Sequence, residues 1–209
     1  MNERLAAAMA KLPLVAILRG VTPGEAPAIA EALLAEDFDL IEIPLNSPDP
    51  LASIAAVRGI APARAFVGAG TVLTESEVDV VQQSGGDLIV TPNTNVDVIA
   101  RAKALGLVCM PGAATPTEAF AALGAGADAV KAFPAEMISP AAVKAWRAVL
   151  PKTAPILPVG GITPETMASY VKAGASGFGL GSALYRPGDS AAAVRQKAAA
   201  FRSAWRALA

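Results

Sequence analysis

The chain contains no histidine. That absence excludes His-based catalytic triads and leaves acid–base chemistry to carboxylates, lysine, tyrosine or ordered water. Many sugar-phosphate enzymes drop out with it. Cysteine is nearly absent as well, since Cys109 stands alone in an apolar run. One thiol forms no internal disulfide, and a lone Cys without His makes a poor zinc site. Cys109 is therefore expected to be buried and inert, with no metal and no cofactor, in a chain suited to a reducing cytoplasm. Charge of either sign is sparse, and the net charge of −1 argues against a basic nucleic-acid binder. Long hydrophobic runs are missing too. Gly, Pro or a charge interrupts each one before the ~20 residues that a spanning helix needs, so no membrane partner is expected. The opening segment MNERLAAAMAKL has an early acid and an apolar run too short for a secretory signal. It reads as a short amphipathic helix leading into a first strand.

What is present is regular. Eight apolar runs recur at intervals of roughly two dozen residues: LVAILRG, LIEIPL, AFVGAGT, LIVTPN, LVCMPGA, AVKAFP, PILPVGG and GFGLGS. They lack polar alternation, as expected of parallel strands covered on both faces. Ala-rich helical segments separate them. Glycine closes several of these helices, at Gly85, Gly106, Gly126 and Gly174, and AEDFDLIEI at Glu36 is a variant without one. Thr with Pro or Glu opens others, at Thr22, Thr74, Thr115 and Thr163. No linker or charge run divides residues 1–209. The pattern predicts one α/β domain, a single (βα)8 TIM barrel with a short N-terminal helix. A doubly wound open sheet is the rival. Its dinucleotide form wants GxGxxG after the first strand, and here the Gly177–Gly179–Gly181 series follows the last.

In a barrel the site lies at the C-terminal strand ends. Those ends carry Arg19, Glu42 with Asn46, Thr71, Thr91 with Pro92, Lys131 with Phe133, Gly160–Gly161, and Gly181–Ser182. Lys131 stands inside an apolar strand, where desolvation lowers an amine's pKa and frees it to attack a carbonyl. It could equally snorkel from the strand end or pair structurally with Glu42. Glu42, again a charge in an apolar strand, suits proton shuttling, with a structural ion pair as the bland alternative. Arg19 could clamp a substrate carboxylate or be a surface charge. The two late glycine turns follow the seventh and eighth strands, where phosphate sites recur in this fold. Together they favour a phosphorylated ligand.

The segments EIPLNSP, GAGTVL, IVTPN, PGAATPTEA, VKAFPAE, VGGITPE and GLGSALY resemble the 2-keto-3-deoxy-6-phosphogluconate aldolase family. The resemblance runs from about Leu12 to Tyr185, in order, and is closer to the branch acting on 2-dehydro-3-deoxy-6-phosphogalactonate. The gluconate branch typically has an arginine where Asn46 stands. The resemblance implies a homotrimer of (βα)8 barrels and cleavage of a phosphorylated 2-keto-3-deoxy sugar acid to pyruvate and D-glyceraldehyde 3-phosphate without a metal. It makes Lys131 the Schiff-base lysine and Glu42 the general acid/base. Thr71, Thr91 and Pro92 would line the pyruvate pocket, while Gly160, Gly161, Gly181 and Ser182 would hold the phosphate. With no arginine at Asn46, Arg19 is expected to supply the missing guanidinium. The same chemistry on the gluconate epimer or on broader sugars, and a non-catalytic phosphosugar-binding barrel, are the competing expectations.

Overall fold

Apolar runs that lack polar alternation must be covered on both faces, and the computed structural model, which describes residues 3–208, covers them so. The order begins α1 (Glu3–Lys11), β1 (Leu14–Ile17), α2 (Ala26–Leu34), β2 (Leu40–Pro44), α3 (Pro50–Ile60), β3 (Phe66–Gly70), α4 (Glu75–Gln83), β4 (Leu88–Val90) and α5 (Val96–Ala104). It continues with β5 (Val108–Met110), β6 (Gly112–Ala113), α6 (Pro116–Gly124), β7 (Val130–Ala132), α7 (Pro140–Val149), β8 (Ile156–Pro158), α8 (Pro164–Lys172), β9 (Phe178–Leu180) and α9 (Ala191–Arg206). Each of the eight apolar runs holds a strand. The fifth is divided in two because Pro111, which has no N–H to give a ladder, falls in its middle.

The architecture is α/β, with a six-stranded parallel sheet in the order β5-β4-β3-β2-β1-β9 curled into a half-barrel. A three-stranded parallel sheet, β6-β7-β8, faces it. The two sheets touch at both margins. On one side β5 runs into β6 through Pro111, whose carbonyl accepts from Lys131 N–H at 2.9 Å. On the other, Val159 and Gly179 form an isolated parallel bridge, and Ser176 N–H donates to the Ile156 carbonyl at 2.8 Å.

Two apolar clusters fill the molecule. The larger lies between strands and surrounding helices. The smaller draws Val15, Leu40, Phe66, Leu88 and Met110 from the six-stranded sheet and Leu157 from the other, together with Leu5 and Ala8 of α1. The amphipathic α1 thus closes one end of this inner core. Arg4 secures it, stacking 3.7 Å over the Phe66 ring and donating to the Ala65 carbonyl at 2.6 Å. Residues 1 and 2 of the expected N-terminal helix lie outside the described residues.

The punctuation is mostly as the sequence implies. Thr74 and Thr115 each form a reciprocal capping box with the Glu three residues on. The helix-end glycines adopt positive φ, and in the variant without glycine Asp37 does so instead (φ 71°). Thr22 departs from expectation. Its hydroxyl binds Glu25 at 2.6 Å within a turn, and α2 begins only at Ala26. No helix of the described residues is long and apolar enough to cross a membrane.

Candidate active site

Lys131 is the middle residue of β7 and Glu42 the middle residue of β2, so both project from the sheets rather than from mobile loops. Both are buried, at 6% and 1% exposure, and what sets them apart from the other buried charges is the lack of an ion-pair partner at contact. The other buried acids have cations at contact: Glu36 has Arg195 and Arg202 at 2.9 Å, Asp39 has Lys11 at 3.0 Å, and Asp128 has Lys103 at 2.6 Å. Glu42 and Lys131 have no ion pair within 4.0 Å among the described residues. The structural ion pair between them is therefore not formed. Desolvation pushes the Glu42 carboxyl above its ordinary range, opposed by the charges of Lys131 and Arg19. Desolvation likewise lowers Lys131, with Glu42 opposing and Arg19 adding to the effect. The two groups share a small inner cavity with Val15, Met110, Leu157 and Gly179.

Local sequence makes room for this pair. A Cβ on Gly70 would lie 1.8 Å from Glu42 Oε1, so the final residue of β3 must be glycine for the carboxylate to fit. On the lysine side, Phe133 lays its ring 4.8 Å from Nζ, a cation–π distance that also keeps water from one flank.

Above the pair opens a cavity of about 550 Å³. It gathers Lys131, Phe133, Arg19, Gly160, Gly161, Gly181 and Ser182, all named from the sequence. Gly160 and Gly161 both have positive φ, 114° and 63°, and lead through Thr163 into Pro164 at the start of α8. At the second turn, Leu184 and Tyr185 N–H return to the Gly181 carbonyl at 2.8 and 3.0 Å, which leaves the preceding amides for a ligand. Asn46 does not line the cavity, yet its Oδ1 accepts from Arg19 Nη1 at 2.7 Å and steers that guanidinium.

Three expected lining residues stand apart. Thr71, Thr91 and Pro92 line neither cavity. Thr91 is buried with its hydroxyl donating to the Asn93 carbonyl, and the Pro92 carbonyl packs where a Gly112 side chain would be. Thr71 follows Gly70 with φ 60°, a left-handed conformation that costs a β-branched residue about 1–3 kcal/mol.

Sequence reasoning missed three polar side chains of the cavity: Glu136, Tyr185 and Arg186. The Glu136 carboxylate faces the first glycine turn, 2.2 Å from where a Cβ on Gly160 would lie. Tyr185 buries its hydroxyl without a partner, and burial pushes it up to about 12, so it stays protonated near neutrality. Cys109 is buried and pushed up to about 12 by desolvation and Asp128, as inert as expected. All three missed residues sit in loops beyond the strand ends, where polar residues are ordinary and carry no pattern.

A family model for the KDPG and KHG aldolases matches residues 5–195. The 2-dehydro-3-deoxy-6-phosphogalactonate aldolase of Escherichia coli (strain K12) is 50% identical over 196 residues, 94% of this chain and 96% of that protein. A solved structure described as native KDPGal superposes with a TM-score of 0.93 at 49% identity, covering 95% of this chain and 96% of the other. The 2-keto-3-deoxy-6-phosphogluconate aldolase of Zymomonas mobilis ZM4, solved with 3-phosphoglycerate, gives a TM-score of 0.86 at 28% identity, covering 98% and 97%.

Proposed function

The chain belongs to the KDPG and KHG aldolase family, and from that premise we propose a class I aldolase that cleaves 2-dehydro-3-deoxy-6-phosphogalactonate to pyruvate and D-glyceraldehyde 3-phosphate. One observation carries the reading. A buried lysine with a depressed pKa lies beside a buried, unpaired carboxyl at the floor of a cavity lined by two glycine turns.

The chemistry follows from those two groups. The neutral amine of Lys131 attacks the C2 carbonyl, water leaves, and the resulting iminium draws electrons from the C3–C4 bond. Glu42 accepts the C4 hydroxyl proton through a water as that bond breaks, and C4 departs as the aldehyde carbonyl. The same carboxyl returns a proton to C3 of the enamine, and hydrolysis frees pyruvate. A carboxyl whose pKa is raised towards neutrality is suited to both transfers. Contacts of Thr71, after β3, and of Thr91 and Pro92, after β4, with the pyruvate end rest on the family motifs GAGTVL and IVTPN, while Phe133 lies against the amine.

Arg19 is assigned to the substrate carboxylate. Its guanidinium lines the cavity, acts electrostatically on both Glu42 and Lys131, and is oriented by Asn46. Arg19→Ala raises KM strongly for the intact substrate, and an unchanged KM contradicts the assignment. Gly160, Gly161, Gly181 and Ser182 take the phosphate. The bound 3-phosphoglycerate of the Zymomonas relative supports a phosphorylated ligand.

The two sheets are read as the wall of one (βα)8 barrel forming a single domain over residues 1–209. The inner core shared by both sheets and the hydrogen bonds at both margins support this. We place the protein in the cytoplasm as a homotrimer. Substrate is tested by assaying release of glyceraldehyde 3-phosphate from the two C4 epimers. A higher kcat/KM on the galactonate epimer supports the reading; equal or reversed preference moves it to a broad or gluconate-type aldolase.

A further inference from the structure

Arginines in this protein are almost all committed. Among the described residues, every arginine except Arg19, Arg147 and Arg186 is held in an ion pair. Arg147 is occupied differently, donating to the carbonyls of Pro151, Lys152 and Ala154 beyond the end of α7. The remaining two, Arg19 and Arg186, line the same cavity. Arg19 acts on Glu42 and Lys131, at the reacting end. Arg186 is not among the charges that act on either, and it hangs from the second glycine turn.

Its fixation suits a ligand. Nε of Arg186 donates to the Ser182 carbonyl at 3.0 Å, which holds the guanidinium against the turn and leaves both Nη groups without a protein acceptor. The nearby acid feels its charge but forms no ion pair with it. Asp189 accepts the Arg186 backbone N–H at 2.8 Å, while its own charge is met by Lys197 at 2.6 Å. Across the cavity, the Glu136 carboxylate lies against Gly160 and Gly161. A phosphate monoester carries about −1.5 to −2 near neutrality, so backbone amides beside a carboxylate would hold it weakly without a cation.

We infer that Arg186 is the ionic partner of the substrate's distal phosphate and sets the preference for phosphorylated over unphosphorylated sugar acids. Two guanidiniums then serve two anionic ends, Arg19 the carboxylate and Arg186 the phosphate, with Glu136 opposing the second. The inference rests on the aldolase reading for the identity of the substrate.

Glycerol 3-phosphate, which has the phosphate but no carbonyl to react, is the direct probe. Calorimetry on the full chain should show Arg186→Gln weakening its binding about tenfold, the scale of a partly exposed charge-assisted hydrogen bond. Arg19→Gln should weaken it less. Unchanged binding by Arg186→Gln, or an equal loss in Arg19→Gln, overturns the inference. In turnover, Arg186→Gln should cut the ratio of kcat/KM for the phosphorylated over the unphosphorylated sugar acid by a similar factor, with partial rescue by Arg186→Lys. Equal losses on both substrates indicate a merely structural role and also overturn it. Pyruvate trapping on Lys131 judges the aldolase reading separately. Glycerol 3-phosphate binding needs no chemistry and judges Arg186 whether or not an adduct forms.

Discussion

Burial acts in opposite directions on the two charged residues of the strand interior, and the proposed chemistry depends on both. It raises Glu42 and lowers Lys131, so each neutral form becomes available nearer neutral pH than in water. Glu36, Asp39 and Asp128 are also buried but have cations at contact, which fixes them as structural. Glu42→Gln keeps the shape and removes the proposed base. It should slow turnover by about 10²–10⁴-fold with the fold intact, as read by steady-state kinetics and circular dichroism; wild-type turnover would remove Glu42 from the mechanism. Residue-scale legibility follows the same physics. A charge inside an apolar strand is anomalous, so Lys131 and Glu42 are visible from sequence alone. Arg186 and Glu136 occupy loops in which charge is commonplace, and only the cavity exposes them. Whether Lys131 and Glu42 were a closed ion pair could not be read from sequence either, because it depends on the distance between two separate strands.

Among the elements, the strongest local signals are the helix starts. Thr115 accepts the Glu118 N–H at 3.3 Å, and Glu118 accepts the N–H groups of Ala114 and Thr115 at 2.7 and 2.9 Å. The carboxylate is held below its usual range chiefly by the Ala114 N–H, with desolvation opposing. Thr115→Ala should lower stability by about 0.5–2 kcal/mol in a denaturant titration; an unshifted midpoint would show that the capping box contributes nothing. The same signals misplace the start of α2, because the Thr22 hydroxyl is satisfied by Glu25 in a turn that delays the helix. The strands were legible as runs but not as ladders. Pro111 cuts one run into β5 and β6, and that small break coincides with the margin between the two sheets.

For the whole molecule, the count and order of βα units were readable because each apolar run needs cover on both faces. How the first and last strands meet was not, since β1–β9 pairing joins residues at opposite ends of the chain. That pairing brings Arg19, after β1, beside the Gly181 turn after β9, while Lys131 arrives from the other sheet. The site is thus a product of global topology assembled from locally recognisable pieces. Lys131 is the proposed nucleophile of that site. The decisive measurement is to incubate the protein with pyruvate, reduce with borohydride and map the modified residue by mass spectrometry. One stable adduct, on Lys131, is the result expected of a Schiff-base nucleophile there. No adduct on folded protein, or an adduct on a different lysine, would contradict it.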